Sequence, residues 1–166
     1  AETYGIGELL RGEVGECDLL GLDGVTEGQA CTALLAERLI DPDCSLLIAA
    51  CDNGMTWDGA AYGQMVANPS IDALVWTFRR RALLAHNPSA FGWVDTSDGR
   101  VRRVSVKAPI SLTPRADHAI VGTFYFRKSS DFFAATRNMI TAGRRVNGEF
   151  YIDEALNVLL DSGKRV

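Results

Sequence analysis

Short apolar blocks separated by turn residues set the rhythm of this chain. Residues 45–51 read SLLIAAC, a continuous apolar run that predicts a strand covered on both faces, and it stops abruptly at Asp52-Asn53-Gly54. Upstream, Cys31, Leu34, Leu35 and Leu39 recur at helical spacing. Thr26 followed three residues later by Gln29 has the pattern of a capping box, so a helix is expected from there to about Ile40, where Asp41-Pro42-Asp43 breaks it. Before it, residues 17–22 form a short, strand-like apolar run ending at Asp23-Gly24, and residues 2–10 suit a short helix with Gly12 as its stop. Strand, turn, helix and strand in that order are the grammar of an α/β fold.

The second half continues in the same way. Residues 58–67 suit a short helix stopped at Asn68-Pro69, and residues 72–78 are rich in strand formers. Residues 91–94 and 101–107, joined through Asp95-Thr96-Ser97-Asp98-Gly99, predict a β-hairpin around an Asp-Gly turn. An aromatic strand is expected at 119–127. Ser130-Asp131 should cap a helix through Ala142, which Gly143 ends, and Asn147 a last helix over 152–162, which Gly163 ends. There is no internal repeat, and 166 residues suit a single domain.

Composition narrows the function classes. With 47% hydrophobic and 23% charged residues the chain has ordinary globular content, not that of a disordered segment. A net charge of -4 offers no basic face for nucleic acid, and Arg79-Arg80-Arg81 reads as a solvated strand end. No stretch approaches the roughly 20 apolar residues that span a bilayer, and no signal peptide is visible. Cys17, Cys31, Cys44 and Cys51 match no zinc or redox spacing. Cys31 and Cys51 sit in apolar runs and are expected to be buried, which fits a reducing, cytoplasmic setting.

Candidate chemistry is sparse. Asp52 stands at the carboxyl end of a buried strand, where ligands of open α/β sheets bind, and a carboxylate there can hold Mg²⁺; Asp-Asn-Gly is equally a plain turn. Gly28 and Gln29 open a helix, where a bare backbone admits a base or ribose and free amides bind anions, or where they simply cap it. Lys107 closes the hairpin as a lone cation that could steady a phosphate or lie in solvent. Asn147-Gly148-Glu149-Phe150-Tyr151 precedes the last helix. His86 and His118 lack partners at metal spacing, and there is neither a serine nucleophile elbow nor a GxxxxGK[ST] loop.

Four patches, in this order, resemble the sugar-phosphate nucleotidyltransferases, and more closely the variants found beside capsule and surface-polysaccharide genes. Thr26-Glu27-Gly28-Gln29-Ala30 resembles the segment that contacts the nucleobase, and residues 46–53 the strand whose terminal Asp, here Asp52, binds the catalytic metal. Phe91-Gly92-Trp93-Val94, with the hairpin to Val106-Lys107-Ala108-Pro109, resembles the region that holds the sugar phosphate. Residues 122–126, with Val146-Asn147-Gly148-Glu149-Phe150-Tyr151, resemble the strand and segment on the sugar side.

The resemblance implies a Rossmann-like GT-A sheet with helices on both faces plus a β-hairpin. It also implies a reaction: a nucleoside triphosphate and a sugar 1-phosphate give a nucleotide sugar and pyrophosphate. Asp52 would hold Mg²⁺ against the α-phosphate, Gly28 and Gln29 would sit at the base, and Lys107 would meet the sugar phosphate. Gly92, Gly122 and Glu149 would line the sugar pocket. The family's opening glycine-rich loop with arginine and lysine has no counterpart in residues 5–15, Val106 stands where members often carry glutamate, and a closing strand is expected after Val166. Residues 1–166 are therefore expected to be one partial domain, incomplete at both ends, weak or inactive alone and prone to self-association through open sheet edges. The alternatives are a non-catalytic nucleotide-sugar-binding domain of this fold and a GT-A glycosyltransferase; the latter group usually shows an Asp-x-Asp pair, which Asp52-Asn53-Gly54 lacks.

Overall fold

The computed structural model describes residues 4–52 and 54–166. Glu2 and Thr3 of the first expected helix, and Asn53 of the expected turn, lie outside the described residues. In chain order come α1 (Ile6–Val14), α2 (Gln29–Leu34), β1 (Leu46–Ala49), α3 (Gly59–Ala67), β2 (Ala73–Phe78), α4 (Leu83–His86), β3 (Gly92–Ser97), β4 (Arg100–Val106), β5 (His118–Phe126), α5 (Ser129–Thr141) and α6 (Ile152–Asp161).

β5 organises the sheet because both of its edges are used. Phe124 pairs with Ile48 of β1 and Val75 of β2; Ala119 pairs with Phe78 of β2 and Trp93 of β3. Every pairing is antiparallel, so β1 and β2 run in the same direction on either side of β5, with α3 in the connection between them. β3 and β4 form the expected hairpin, and Asp98 (φ 55°) and Gly99 (φ 73°) make the mirror-image turn that suits strand twist.

Side chains alternate across β5 and sort the helices into two layers. Phe124 and Phe126 enter the main core with α5 and α6, the Phe126 and Phe132 rings lying 4.8 Å apart. Tyr125 points the other way, 6.1 Å from Tyr62 of α3, which in turn packs 5.5 Å from Trp76. Helices therefore cover both faces, as expected of this fold class. Asp58 starts α3 by accepting from the Ala60 and Ala61 amides at 2.9 and 3.1 Å.

Several local expectations fail for identifiable reasons. Residues 17–22 form no strand: they pair with none of the five strands, and Leu19, Leu20 and Leu22 stay exposed. α2 ends at Leu34, and a short 3₁₀ turn, Glu37–Leu39, follows in place of a helix to Ile40. The capping box does not form either. Thr26 donates its hydroxyl to the Gly28 carbonyl at 3.0 Å, and Gly28, not Thr26, is the N-cap. Lys128 and Tyr151 hold the N-cap positions of α5 and α6, which displaces Ser130-Asp131 and Asn147 from that role. Asn147 (φ 51°) and Gly148 (φ 85°) instead make the tight turn of a Val146–Glu149 bridge. Cys31 is half-buried and Cys51 exposed, because β1 stops at Ala49 before reaching the second thiol. Among the described residues no helix is long and apolar enough to cross a membrane.

Candidate functional site

A glycine distorts β5 where the cleft opens. Along β2 the register slips from Val75↔Phe124 to Thr77↔Ile120, so β5 carries extra residues between, and Gly122 takes φ 98° there. β1 pairs only with residues 123–126 of β5 and β3 only with 118–119, and the Gly122 carbonyl accepts from Ala50 at 2.9 Å in the interval. A cleft of about 830 Å³ sits at this parting, beyond the carboxyl end of β1.

Five of the seven residues singled out from sequence line this cleft: Gln29, Asp52, Gly92, Lys107 and Gly122. They come from the start of α2, the end of β1, the hairpin and the β5 bulge. Lys107 follows β4 with φ 61°, a left-handed backbone that is uncommon for a non-glycine residue. The turn carries its ammonium to 2.7 Å from the Ala90 carbonyl and 5.0 Å from the Tyr151 ring centre. Among the described residues no three His, Cys, Asp or Glu side chains cluster to cage a metal. A single carboxylate such as Asp52 nevertheless fits Mg²⁺, which keeps most of its waters and shares phosphate oxygens.

Gly28 and Glu149 lie beside the cleft. A Cβ on Gly28 would come within 2.5 Å of the Phe150 carbonyl oxygen and 2.7 Å of its nitrogen. The bare backbone is used there for a seam between two chain segments: Phe150 donates to Glu27 O at 2.8 Å, and Ala30 to Phe150 O at 3.1 Å. That second bond occupies an amide at the start of α2. Arg145 rivets the seam from outside, pairing with Glu27, donating to Gly148 O at 3.1 Å and lying 4.2 Å from the Phe150 ring centre. The first and last of the four patches noted in the sequence thus touch in space. Glu149 reaches the cleft through Tyr151: burial, and then the nearby Glu149 carboxylate, push that phenol above its ordinary value.

Sequence reasoning passed over Asp153 and read Arg81 only as part of a solvated basic run; both line the cleft. An acidic residue in the first turn of a helix is ordinary dipole chemistry, which hid Asp153. Its carboxylate lies where a Gly92 side chain would be: a Cβ on Gly92 would fall 1.9 Å from Oδ2. Asp153 is 7% exposed. Burial pushes its carboxyl from 3.8 to about 6, against the pull of the Lys107 charge and of its own backbone N–H.

A pH signature in stability follows. The folded value exceeds the unfolded one, so this contribution is fully present below about pH 4 and is lost as the pH rises through 6. Above that, keeping Asp153 ionised costs about 3 kcal/mol. Asp153→Asn, neutral at every pH, should exceed the parent in stability at pH 8 by up to that amount, with the gap closing toward pH 4. Denaturant titrations at the two pH values measure it; an equal gap at both would mean that buried charge is not the cause.

No protein-family model matches the chain, and no curated protein matches it. Solved structures do. A nucleoside-diphosphate-sugar pyrophosphorylase from Vibrio cholerae RC9 aligns over 99% of this chain with a TM-score of 0.72 and 19% identity. A UDP-glucose pyrophosphorylase complexed with UDP-glucose aligns over 100% with a TM-score of 0.62 and 15% identity. At such identity the likeness is one of fold. The chain spans 66% and 63% of those two proteins' lengths, less than two thirds of each.

Proposed function

We propose that the chain is a nucleotidyltransferase domain that joins a nucleoside triphosphate to a sugar 1-phosphate in the β5 cleft. One observation carries this reading: Gln29, Asp52, Gly92, Lys107 and Gly122, drawn from separate stretches of sequence, line one cleft. The fold shared with nucleoside-diphosphate-sugar and UDP-glucose pyrophosphorylases supports it.

In the proposed reaction an oxygen of the sugar phosphate attacks the α-phosphorus. The bond from that phosphorus to the α–β bridging oxygen breaks, and pyrophosphate leaves with the electron pair. No side-chain nucleophile is needed; catalysis is alignment of the two phosphates and neutralisation of their charge. Lys107, braced by the Ala90 carbonyl, presents a point charge to the sugar phosphate. Gln29, with both donor and acceptor, faces the base. Gly92 makes room for the Asp153 carboxylate on the sugar side and Gly122 holds the bulge that opens the cleft, while Glu149 orients Tyr151. Asp52 would hold Mg²⁺, which supplies positive charge at the α-phosphate.

The deciding experiment incubates the protein with Mg²⁺, each of the four nucleoside triphosphates and α-D-glucose 1-phosphate or another hexose 1-phosphate, and measures pyrophosphate. Release that needs both substrates and stops with EDTA supports the reading. Absence of release together with absence of nucleotide and sugar-phosphate binding would sink it. A second reading, a non-catalytic nucleotide-sugar-binding domain, draws on Val106, which is buried in the core where the resembled family often carries glutamate. It expects binding without release.

A further inference from the structure

Asp153 turns toward the cleft a carboxylate to which no side chain of the described residues donates. It is a carboxylate at the first turn of α6, buried to within 7% of full enclosure, and it lines the cleft. An ionised carboxylate can accept about four hydrogen bonds. Among the described residues its own backbone N–H is the donor that meets it, and no side chain donates to it. Lys107, whose charge bears on it, stands outside ion-pair distance and directs one N–H to the Ala90 carbonyl, leaving two for a phosphate. Asp153 is not a sealed, unpartnered atom of the interior, as Thr136 Oγ1 is among the described residues; its carboxylate opens on the cleft, where a ligand donor can take the place of solvent.

The surroundings say what kind of ligand. Gly92 removes the one side chain that would collide with the carboxylate, which keeps Oδ2 at the cleft wall. Val106, the cross-strand partner of Gly92, is apolar and offers no competing polar group on that face. An anion is excluded beside a buried carboxylate by like charge, and a cation has Lys107 close at hand to repel it. A neutral hydroxyl donor meets both constraints, and a sugar ring is dense in such donors.

We propose that Asp153 is a sugar-recognition residue, accepting a hydrogen bond from a ring hydroxyl of a hexose whose phosphate is held by Lys107. This rests on the reading of the cleft as a sugar-phosphate site and adds to it the group that selects the sugar. Asp153 is thereby a specificity determinant: it favours a sugar with a free hydroxyl at that position and disfavours one that is deoxygenated or carries a carboxylate there. A site built to bond a hydroxyl discriminates strongly against its absence, because the buried acceptor is left unpaired.

The test uses calorimetric titration of the protein with the 1-phosphates of glucose, galactose, mannose and N-acetylglucosamine, then with the monodeoxy analogues of the tightest binder. One deoxy analogue is expected to bind about ten- to a hundredfold more weakly than its parent. Asp153→Leu, which keeps the branching but replaces the acceptor oxygens with methyl groups, should erase that difference, and Asp153→Asn, which keeps a neutral acceptor, should retain part of it. Should the leucine variant fail to fold, the asparagine variant decides by the same comparison. Full discrimination in the asparagine and leucine variants, or none in the parent, overturns the role of Asp153 while leaving the sugar-phosphate reading intact. Failure of all four sugar phosphates to bind the parent overturns both.

Discussion

Asp52→Ala is expected to lower Mg²⁺-dependent pyrophosphate release on the order of a hundred- to a thousandfold, the range found when one electrostatic stabiliser of a developing charge is removed. The residue sits past the end of β1 at the cleft opened by the Gly122 bulge. In the proposed reaction two phosphates brought together there would repel one another, and a carboxylate alone would worsen that; it would help only by holding a cation between them. Raising the Mg²⁺ concentration should therefore recover part of the loss in Asp52→Asn, which keeps the side chain's shape and one neutral oxygen, and less in Asp52→Ala. Turnover unchanged in the alanine variant would remove Asp52 from the mechanism. Turnover lost equally with and without added metal would assign it a role other than metal binding.

Gly28→Ala is expected to destabilise the fold by about 3 kcal/mol or more, a fall in melting temperature on the order of 10 °C for a chain of this size. Two costs combine. Gly28 has φ 124°, a region that side chains rarely tolerate. The added methyl would also meet the backbone of Phe150 at 2.5 Å, and backbone cannot swing aside as a flexible side chain can. The seam joining Glu27, Ala30 and Phe150 must open to admit it. A glycine kept only for approach of a nucleobase predicts the opposite pattern, weaker nucleotide binding with an unchanged melting temperature. Thermal melting and nucleotide titration of one variant therefore separate the two roles.

The parts of the fold that were legible in the sequence are those decided by local chemistry. The Asp98-Gly99 turn demands a hairpin whatever surrounds it, and the SLLIAAC run does form a strand, but over Leu46–Ala49 at the sheet edge, with Leu47 exposed where cover on both faces was expected. Residues 17–22 look as strand-like by composition, but a strand exists only where a neighbour accepts its hydrogen bonds, and that is not written in the run itself. The candidate site divides along the same line. Asp52 and Lys107 announce themselves by lying at element ends, where ligands meet an α/β sheet. Asp153 does not, since its significance depends on Gly92, brought to it by folding. Gly28 was visible as a glycine with a purpose, yet the contact that explains it, with Phe150, joins segments from opposite ends of the chain.

That last contact also has a temporal meaning. During synthesis β1, β2, the hairpin and β5 are all present once residue 126 has emerged, so the bulge at Gly122 and the Asp52 and Lys107 walls can assemble early. The wall bearing Gln29 cannot be fixed until Phe150 arrives to bond Glu27 and Ala30. The nascent chain thus carries a half-built cleft, open on the side proposed for the base, for as long as the ribosome takes to add α5 and the turn after it.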